Sequence, residues 1–385
     1  MNKDFTLIAT AAMGIESIVA REVRDLGFTD VTVENGKVIF KGDEQSICRA
    51  NTWLRSANRI KLLVGQFKVT TFDELFEQTK ALPWGDFIPE NGEFPVIGKS
   101  VKSTLYSVPD CQAIVKKAVV ESMKNKYKRS SWFEETGPLY RIEISILKDV
   151  ATLTIDTTGD GLHKRGYRDL HNEAPLKETM AATLIQLTTW NADRVFVDPF
   201  CGSGTLPIEA ALIGRNIAPG LNRTFASTDW GMIGEKRWRE EKERARDLAK
   251  WDRPLEIYGS DIDHKLVELS KENARKAGVE DTISFKQMQV SDFRTKDEYG
   301  ILVCNPPYGE RLSDKEQVEQ LYTEMGETFK YLDTWSIYVL TAHLGFERFF
   351  GKKASKKRKL FNGYIRTDYF QFFGPRPPRK KQNDE

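Results

Sequence analysis

The stretch VFVDPFCGSGTLPIEAALIG, residues 195 to 214, decides how this chain folds. Its first residues read as a short apolar strand ending at Asp198, and LPIEAALIG reads as a helix starting after Thr205. Between them Gly202 and Gly204 let the backbone turn tightly and approach a ligand with no Cβ in the way. No G-K-[ST] follows, which argues against a P-loop.

Working outward, helices and apolar strands take turns from about Ala174: KETMAATLIQLTTW, RVFVDPF, LPIEAALIG, LEIYGSD, HKLVELSKENARKAG, TISFKQM, GILVCNPP, VEQLYTEMGETFKYL and SIYVLTAH. That alternation predicts a parallel sheet with helices on both faces. KLFNGYI and RTDYFQFF add an antiparallel edge. An insertion between Arg223 and Asp252 contains GEKRWREEKERARDLAKW, read as a charged surface helix. The tail GPRPPRKKQNDE lacks apolar residues and is expected to be disordered.

The first half has another grammar. FTLIAT, an amphipathic helix from Ile15 to Leu26, DVTVEN and KVIFK form a small α+β unit with Gly36 at its hairpin. A helix from Glu44 to Leu54, the strand RIKLLVGQFKV, helices at 71–80 and 109–126, and the strands YRIEISILKD and VATLTIDTT extend it as further α+β structure. The opening residues, MNKDFTLIATAAMG, look superficially like a secretion signal, but Asp4 spoils the basic region and a first strand is expected.

At 385 residues, 40% hydrophobic and 30% charged, the chain has the composition of a soluble protein of two or three domains. Nothing approaches the run of about 20 apolar residues that spans a bilayer. Four scattered cysteines without a C-x-x-C indicate neither a disulfide framework nor a zinc site and fit a reducing cytoplasm. A net charge of +2 does not itself suggest nucleic acid. The clusters KNKYKR (124–129), HKRGYR (163–168) and KKASKKRK (352–359), each near aromatic residues, together favour a polyanion.

In a parallel sheet of this kind ligands bind beyond the carboxyl ends of the strands. Asp198 stands at one such end. Asp261, at the end of LEIYGSD, can accept two hydrogen bonds from a ribose diol, while Asp263 suits the N-cap of the next helix. Asp292 can take an adenine amino group with Phe293 along the ring. In GILVCNPPYGERL, residues 300 to 312, two prolines fix the backbone after Asn305. If the Asn305 side-chain oxygen and the Pro306 carbonyl accept both N–H bonds of an exocyclic amine, its nitrogen is drawn toward tetrahedral geometry and its lone pair is aimed. Tyr308 offers a face for stacking a base, worth roughly 1–3 kcal/mol. Cys201 and Cys304 are read as core residues, not nucleophiles.

DPFCGSGT, GSDID, SDF and NPPYGER, in this order and spacing, resemble the class I S-adenosylmethionine-dependent methyltransferases that act on exocyclic amines. DTTGDGLHKRGYR, APLKETMAA and FPVIGKSVKSTLYS resemble the THUMP-containing RNA methyltransferases, closest to the bacterial 23S rRNA guanine-N2 methyltransferases of the L type. The resemblance implies an α/β fold: a ferredoxin-like α+β unit at 1–60, a THUMP domain at 61–158, a Rossmann-like methyltransferase domain with an antiparallel edge at 159–374, and a basic tail at 375–385. It implies S-adenosylmethionine held by Asp198, Phe200, Gly202, Gly204, Thr205, Asp261, Ile262, Asp292, Phe293, Asn305 and Thr179. The target guanine falls to Asn305, Pro306, Pro307 and Tyr308, and RNA contacts to Lys116, Lys117, Lys124, Arg165, Arg168 and Arg311. The linker from Arg165 to Arg168, leading to Lys177, Glu178 and Thr179, is expected to close over the cofactor. The partner implied is 23S rRNA or a precursor of the large subunit, for a protein that is a monomer or weak dimer without membrane or metal. The second methyltransferase domain fused in some relatives is not matched, so a single modification is expected. Alternatives are the same chemistry on tRNA, a DNA adenine-N6 methyltransferase, and a non-catalytic RNA chaperone.

Overall fold

A computed structural model describes residues 4–168, 176–308 and 315–378. The chain forms two compact units: Met1–Ala12, Val19–Leu162 and Gly220–Asp247 make the first, and Met13–Ile18, His163–Pro219 and Leu248–Glu385 the second. No helix among the described residues is long and apolar enough to cross a membrane.

The first unit contains β1 (Phe5–Thr10), α1 (Glu16–Asp25, shared at its start with the second unit), β2 (Thr32–Glu34), β3 (Lys37–Gly42), α2 (Glu44–Trp53) and β4 (Arg59–Lys68). It continues with α3 (Phe72–Lys80), β5 (Val96–Val101), α4 (Val108–Tyr127), β6 (Ile142–Leu147) and β7 (Val150–Asp156). All seven strands lie in one sheet, ordered β2-β3-β1-β4-β7-β6-β5. The two small domains expected to divide near residue 60 therefore share a sheet. The joint is β4, which is long enough for Arg59–Leu62 to pair with β1 while Lys61–Lys68 pair with β7. Its register shifts between Leu63 and Gly65, where an added Cβ would meet the Leu82 side chain at 2.7 Å.

From Leu176 the elements are α5 (Glu178–Gln186), β8 (Phe196–Asp198), α6 (Thr205–Gly214), α7 (Glu235–Leu248), β9 (Ile257–Asp261), α8 (His264–Ala277) and β10 (Ile283–Gln287). They continue as β11 (Ile301–Cys304), α9 (Lys315–Phe329), β12 (Ser336–Thr341), α10 (Phe346–Phe350), β13 (Lys356–Asn362) and β14 (Ile365–Phe372). The second sheet runs β10-β9-β8-β11-β12-β14-β13. Its first five strands are parallel, and β14 is antiparallel to both neighbours, as the alternation and the edge pair predict. Strand order reverses between β8 and β11, so the loops after these adjacent strands open a crevice at the carboxyl edge. Leu302, Cys304, Tyr322, Met325, Phe329, Val339 and Phe370 are fully or nearly fully buried around β11 and β12 and hold that edge from below.

The charged insertion is not simply a surface helix. α7 carries Trp238, Glu241 and Ala245 on one face, and all three are buried in the first unit. The Trp238 ring stacks on Phe225 with centroids 5.1 Å apart. The Glu241 carboxylate accepts from Trp53 Nε1 at 2.9 Å and Gln45 Nε2 at 3.0 Å. Composition gives the exposed face of such a helix, whereas the three buried positions are set by the partners they meet.

Candidate active site

The site grows from the carboxyl edge of the second sheet. β8 delivers Asp198, 1% exposed, whose Oδ1 accepts the Phe200 N–H at 3.0 Å. Burial, opposed by that bond, pushes its carboxyl well above the ordinary range. The loop then crosses to β9, where Cys201 N–H donates to the Ser260 carbonyl at 2.8 Å. Gly202 takes φ +52° and donates its N–H to Asp261 Oδ2 at 3.0 Å, while the Asp263 N–H donates to Asp261 Oδ1 at 3.0 Å. Both Asp261 oxygens are thus aligned by one backbone donor each, and each keeps a lone pair for a further donor.

Two side chains of α8 fix the loop from behind. Ser270 donates to the Gly202 carbonyl at 2.7 Å and Asn273 to the Ser203 carbonyl at 2.9 Å. Gly202 needs its glycine for conformation, since an added Cβ would meet nothing within 4 Å. Gly204 needs glycine twice over: it takes φ +83°, and an added Cβ would crowd Ser270 Cβ at 3.1 Å and Phe285 Cζ at 3.2 Å. Thr205 opens α6 and is buried. Asp263 caps α8 as expected, accepting from the Lys265 N–H at 2.8 Å.

On the next strand, β11 ends in buried Cys304 and delivers half-buried Asn305, buried Pro306, exposed Pro307 and half-buried Tyr308. The Tyr308 hydroxyl donates to Asn305 Oδ1. Tyr308 was expected only as a stacking face; here it also occupies the acceptor assigned to an incoming amine. Two residues that sequence reasoning missed hold this corner. Tyr322, fully buried on α9, donates its hydroxyl to the Pro307 carbonyl at 2.7 Å and shares a hydrogen bond with Thr341 Oγ1 at 2.9 Å. Burial pushes its phenol up to about 12, so it stays protonated at working pH. Tyr322 sits at an apolar position of its helix, and nothing in the sequence distinguishes it from an ordinary core tyrosine. Burial also raises the Cys201 and Cys304 thiols, as their core reading requires.

Other expected site residues scatter. Asp292 and Ile262 are exposed and Phe200 is half-buried beside the loop. Phe293 faces the core instead of a crevice, its ring 6.4 Å from Phe329 and 6.3 Å from Trp335. Thr179 is buried in α5, its carbonyl accepting from Thr183 Oγ1 at 2.8 Å. Arg165 is no surface cation: its side chain is 2% exposed and pairs with fully buried Glu209 at 3.3 Å, beside the Tyr167 hydroxyl. Arg168 is largely buried, bonding Thr205 Oγ1 at 3.0 Å and Glu178 Oε1 at 3.2 Å, and so ties the linker to the glycine loop's helix. Arg311 lies outside the described residues, as do 169–175 of the linker and 379–385 of the tail.

In the first unit, α4 carries the expected basic residues, already engaged. Lys116 Nζ lies 3.5 Å from the Phe94 ring centroid and 2.6 Å from Glu135 Oε1, with burial moving its ammonium down. Lys117 lies 5.6 Å from the Phe76 ring centroid, and Lys124 is 3.2 Å from Glu121.

Comparison with known proteins gives three matches in chain order: the RlmL ferredoxin-like domain at 6–61, the THUMP domain at 69–156, and the RMKL-like methyltransferase domain at 165–371. A Bacillus subtilis (strain 168) protein named "Putative RNA methyltransferase YpsC" is 62% identical over 381 residues, covering 98% of this chain and 99% of that one. A crystal structure from Listeria monocytogenes, described as a predicted N6-adenine-specific DNA methylase, superposes with TM-score 0.93 at 60% identity, covering 97% of both chains. SMU.472, described as a putative methyltransferase complexed with SAH, superposes with TM-score 0.94 at 50% identity, covering 98% of this chain and 100% of that one.

Proposed function

The chain belongs to the RMKL-like methyltransferase family, and from that premise we propose that it moves the methyl group of S-adenosylmethionine to the exocyclic N2 amine of a guanine in 23S rRNA. The observation that carries the reading is the adjacency of β8 and β11, paired through Ile301↔Phe196 and Leu302↔Val197. It brings the glycine loop and Asn305-Pro306-Pro307-Tyr308 to the same end of neighbouring strands, one corner suited to a nucleoside and the other to an amine. The SAH bound in SMU.472 supports the choice of cofactor.

The residues present fit that cofactor. Asp261 would accept the ribose hydroxyls on the lone pairs its two backbone donors leave, and the exposed Asp292 would meet the adenine amine. Gly202 and the start of α6 would lie along the methionine part. When bound, the cofactor supplies an electrophilic methyl on a sulfonium. Asn305 Oδ1 and the Pro306 carbonyl hold the guanine amine by accepting from its two N–H groups, and once the methyl has left sulfur for this nitrogen one of those now acidic protons passes to water. Tyr308 gives up its hydrogen bond to Asn305 and lies against the base, which is turned out of its stack. Asn305 thus exchanges one O–H donor for an N–H donor, and the acceptor is never left bare.

The THUMP and ferredoxin-like domains, together with the RNA methyltransferase name of the Bacillus relative, favour RNA over the DNA adenine named for the Listeria structure. The deciding experiment is a mass-resolved map of methylguanosines in rRNA and tRNA from cytoplasmic extracts with and without the gene. Loss of one N2-methylguanosine from 23S rRNA is expected. Loss from tRNA alone would move the activity there, and an unchanged RNA map with altered DNA methylation would overturn the reading.

A further inference from the structure

The third basic cluster, KKASKKRK, is not used by the site above. Its last four residues begin β13, the outer strand of the second sheet, and that strand ends at the turn Asn362-Gly363-Tyr364 before β14. β14 runs antiparallel to β12, with Thr341, the last residue of β12, opposite Asp368. The residues before Asp368 therefore continue past the carboxyl end of β12, the end from which Asn305 also emerges. At about 3.3 Å per residue, Tyr364 projects roughly 13 Å beyond that edge. It lies some two to three strand spacings, about 10–15 Å, to the side of β11.

The tip has a consistent chemistry. Tyr364 is fully exposed at 106%, the most exposed large hydrophobic side chain among the described residues. Arg366 stands two residues after it and Lys359 five before it on the paired strand, both exposed and in no salt bridge among the described residues, with Lys359 Nζ 5.6 Å from the Phe361 ring centroid; Lys356 on the same strand and Lys352 and Lys353 just before it are exposed as well. Two cations of the run are committed elsewhere: Lys357 to Glu347 at 3.0 Å, and Arg358 to the Gly14 carbonyl at 2.7 Å. Asp368, opposite Lys359, is the acidic residue of β14.

Lysines on an edge strand also deter aggregation. That role gives no reason for an aromatic ring standing free at the tip, where it costs exposed apolar area. An exposed ring between cations at a substrate-facing edge has the chemistry of single-stranded nucleic acid recognition: stacking on a base and neutralising its phosphates.

We propose that the β13–β14 hairpin is an RNA-docking element of the catalytic domain. Tyr364 stacks on an unpaired base flanking the target nucleotide, and Lys359 and Arg366 take the adjoining phosphates. The proposal rests on the RNA reading above and adds a second contact, separate from the THUMP domain, that sets the strand's path into the site.

The test uses the full-length protein, a fluorescein-labelled single-stranded RNA of mixed sequence for binding, and large-subunit rRNA from a strain lacking the gene for methyl incorporation. Tyr364→Ala is expected to weaken RNA binding and raise KM for rRNA by about 5-fold to 100-fold. Tyr364→Phe should restore both, and the calorimetric Kd for S-adenosylmethionine should not change. In Lys359→Gln/Arg366→Gln the slope of log K against log salt should fall by about 1.4, two phosphate contacts at roughly 0.7 each. Because these side chains are exposed, unchanged melting temperatures confirm that the variants fold. Wild-type KM and salt slope in both variants would overturn the hairpin proposal while leaving the enzyme's function standing. Wild-type protein that binds the cofactor but methylates no RNA would overturn the functional reading and the docking element with it.

Discussion

Tyr322→Phe removes one oxygen atom and tests whether the amine-binding corner is held in place by α9. The hydroxyl is fully buried and donates to the Pro307 carbonyl at 2.7 Å while sharing a bond with Thr341 Oγ1 at 2.9 Å. A net hydrogen bond of this kind contributes about 0.5–1.5 kcal/mol. Pro307 is exposed, so water can recover part of its carbonyl's bonding. The remainder appears as freedom of the Pro307–Tyr308 peptide, which misplaces Asn305 and Tyr308 relative to the methyl donor. At about 1.4 kcal/mol per tenfold, kcat should fall roughly 2-fold to 10-fold. Cofactor Kd should stay constant, because no bond of Asp198, Gly202 or Asp261 is touched. The assay is single-turnover methyl transfer to rRNA, with cofactor affinity by calorimetry and melting temperature as controls. Thr341→Val, which leaves the Pro307 bond intact, should cost less, and the double variant should be less than additive because the two side chains share one hydrogen bond. An unchanged kcat, or a kcat loss matched by lost cofactor affinity, would refute the idea that Tyr322 is a positioning residue.

Three further outcomes are expected. Asn305→Ala should abolish nearly all methyl transfer and leave S-adenosylmethionine binding intact; an RNA phenotype of the gene deletion that this variant rescues in full would instead favour a chaperone. Asp198→Asn should raise the melting temperature of the cofactor-free protein near pH 7 while lowering activity. Burial raises the Asp198 pKa in the folded state, so the native protein holds its proton longer and stability falls as pH rises from the ordinary carboxylate range toward the raised value. The melting-temperature gain of the variant should therefore vanish below about pH 4, and a gain that persists there would contradict this assignment. Arg165→Met should destabilise by about 3 kcal/mol, since it leaves Glu209 buried with only Tyr167 and Glu209's other neighbours. RNA affinity of the folded fraction should be unaffected, and a specific loss of RNA binding at unchanged melting temperature would return Arg165 to the RNA surface.

The sequence by itself determined the parallel sheet, the antiparallel edge pair, the glycine loop after β8 and the rigid turn after β11. These depend on local periodicity, on glycine and proline geometry, and on strand ends, all of which a chain carries without its neighbours. Only the tertiary structure decided that Gly204 packs tightly against Ser270 and Phe285, that Arg165 is spent on Glu209, that α7 buries Glu241, and that Phe293 belongs to the core. It also supplied Tyr322 and the overhang of Tyr364. A side chain's type fixes what it can bond to; which partner it meets depends on strand order and register, and those are settled only when the sheet assembles.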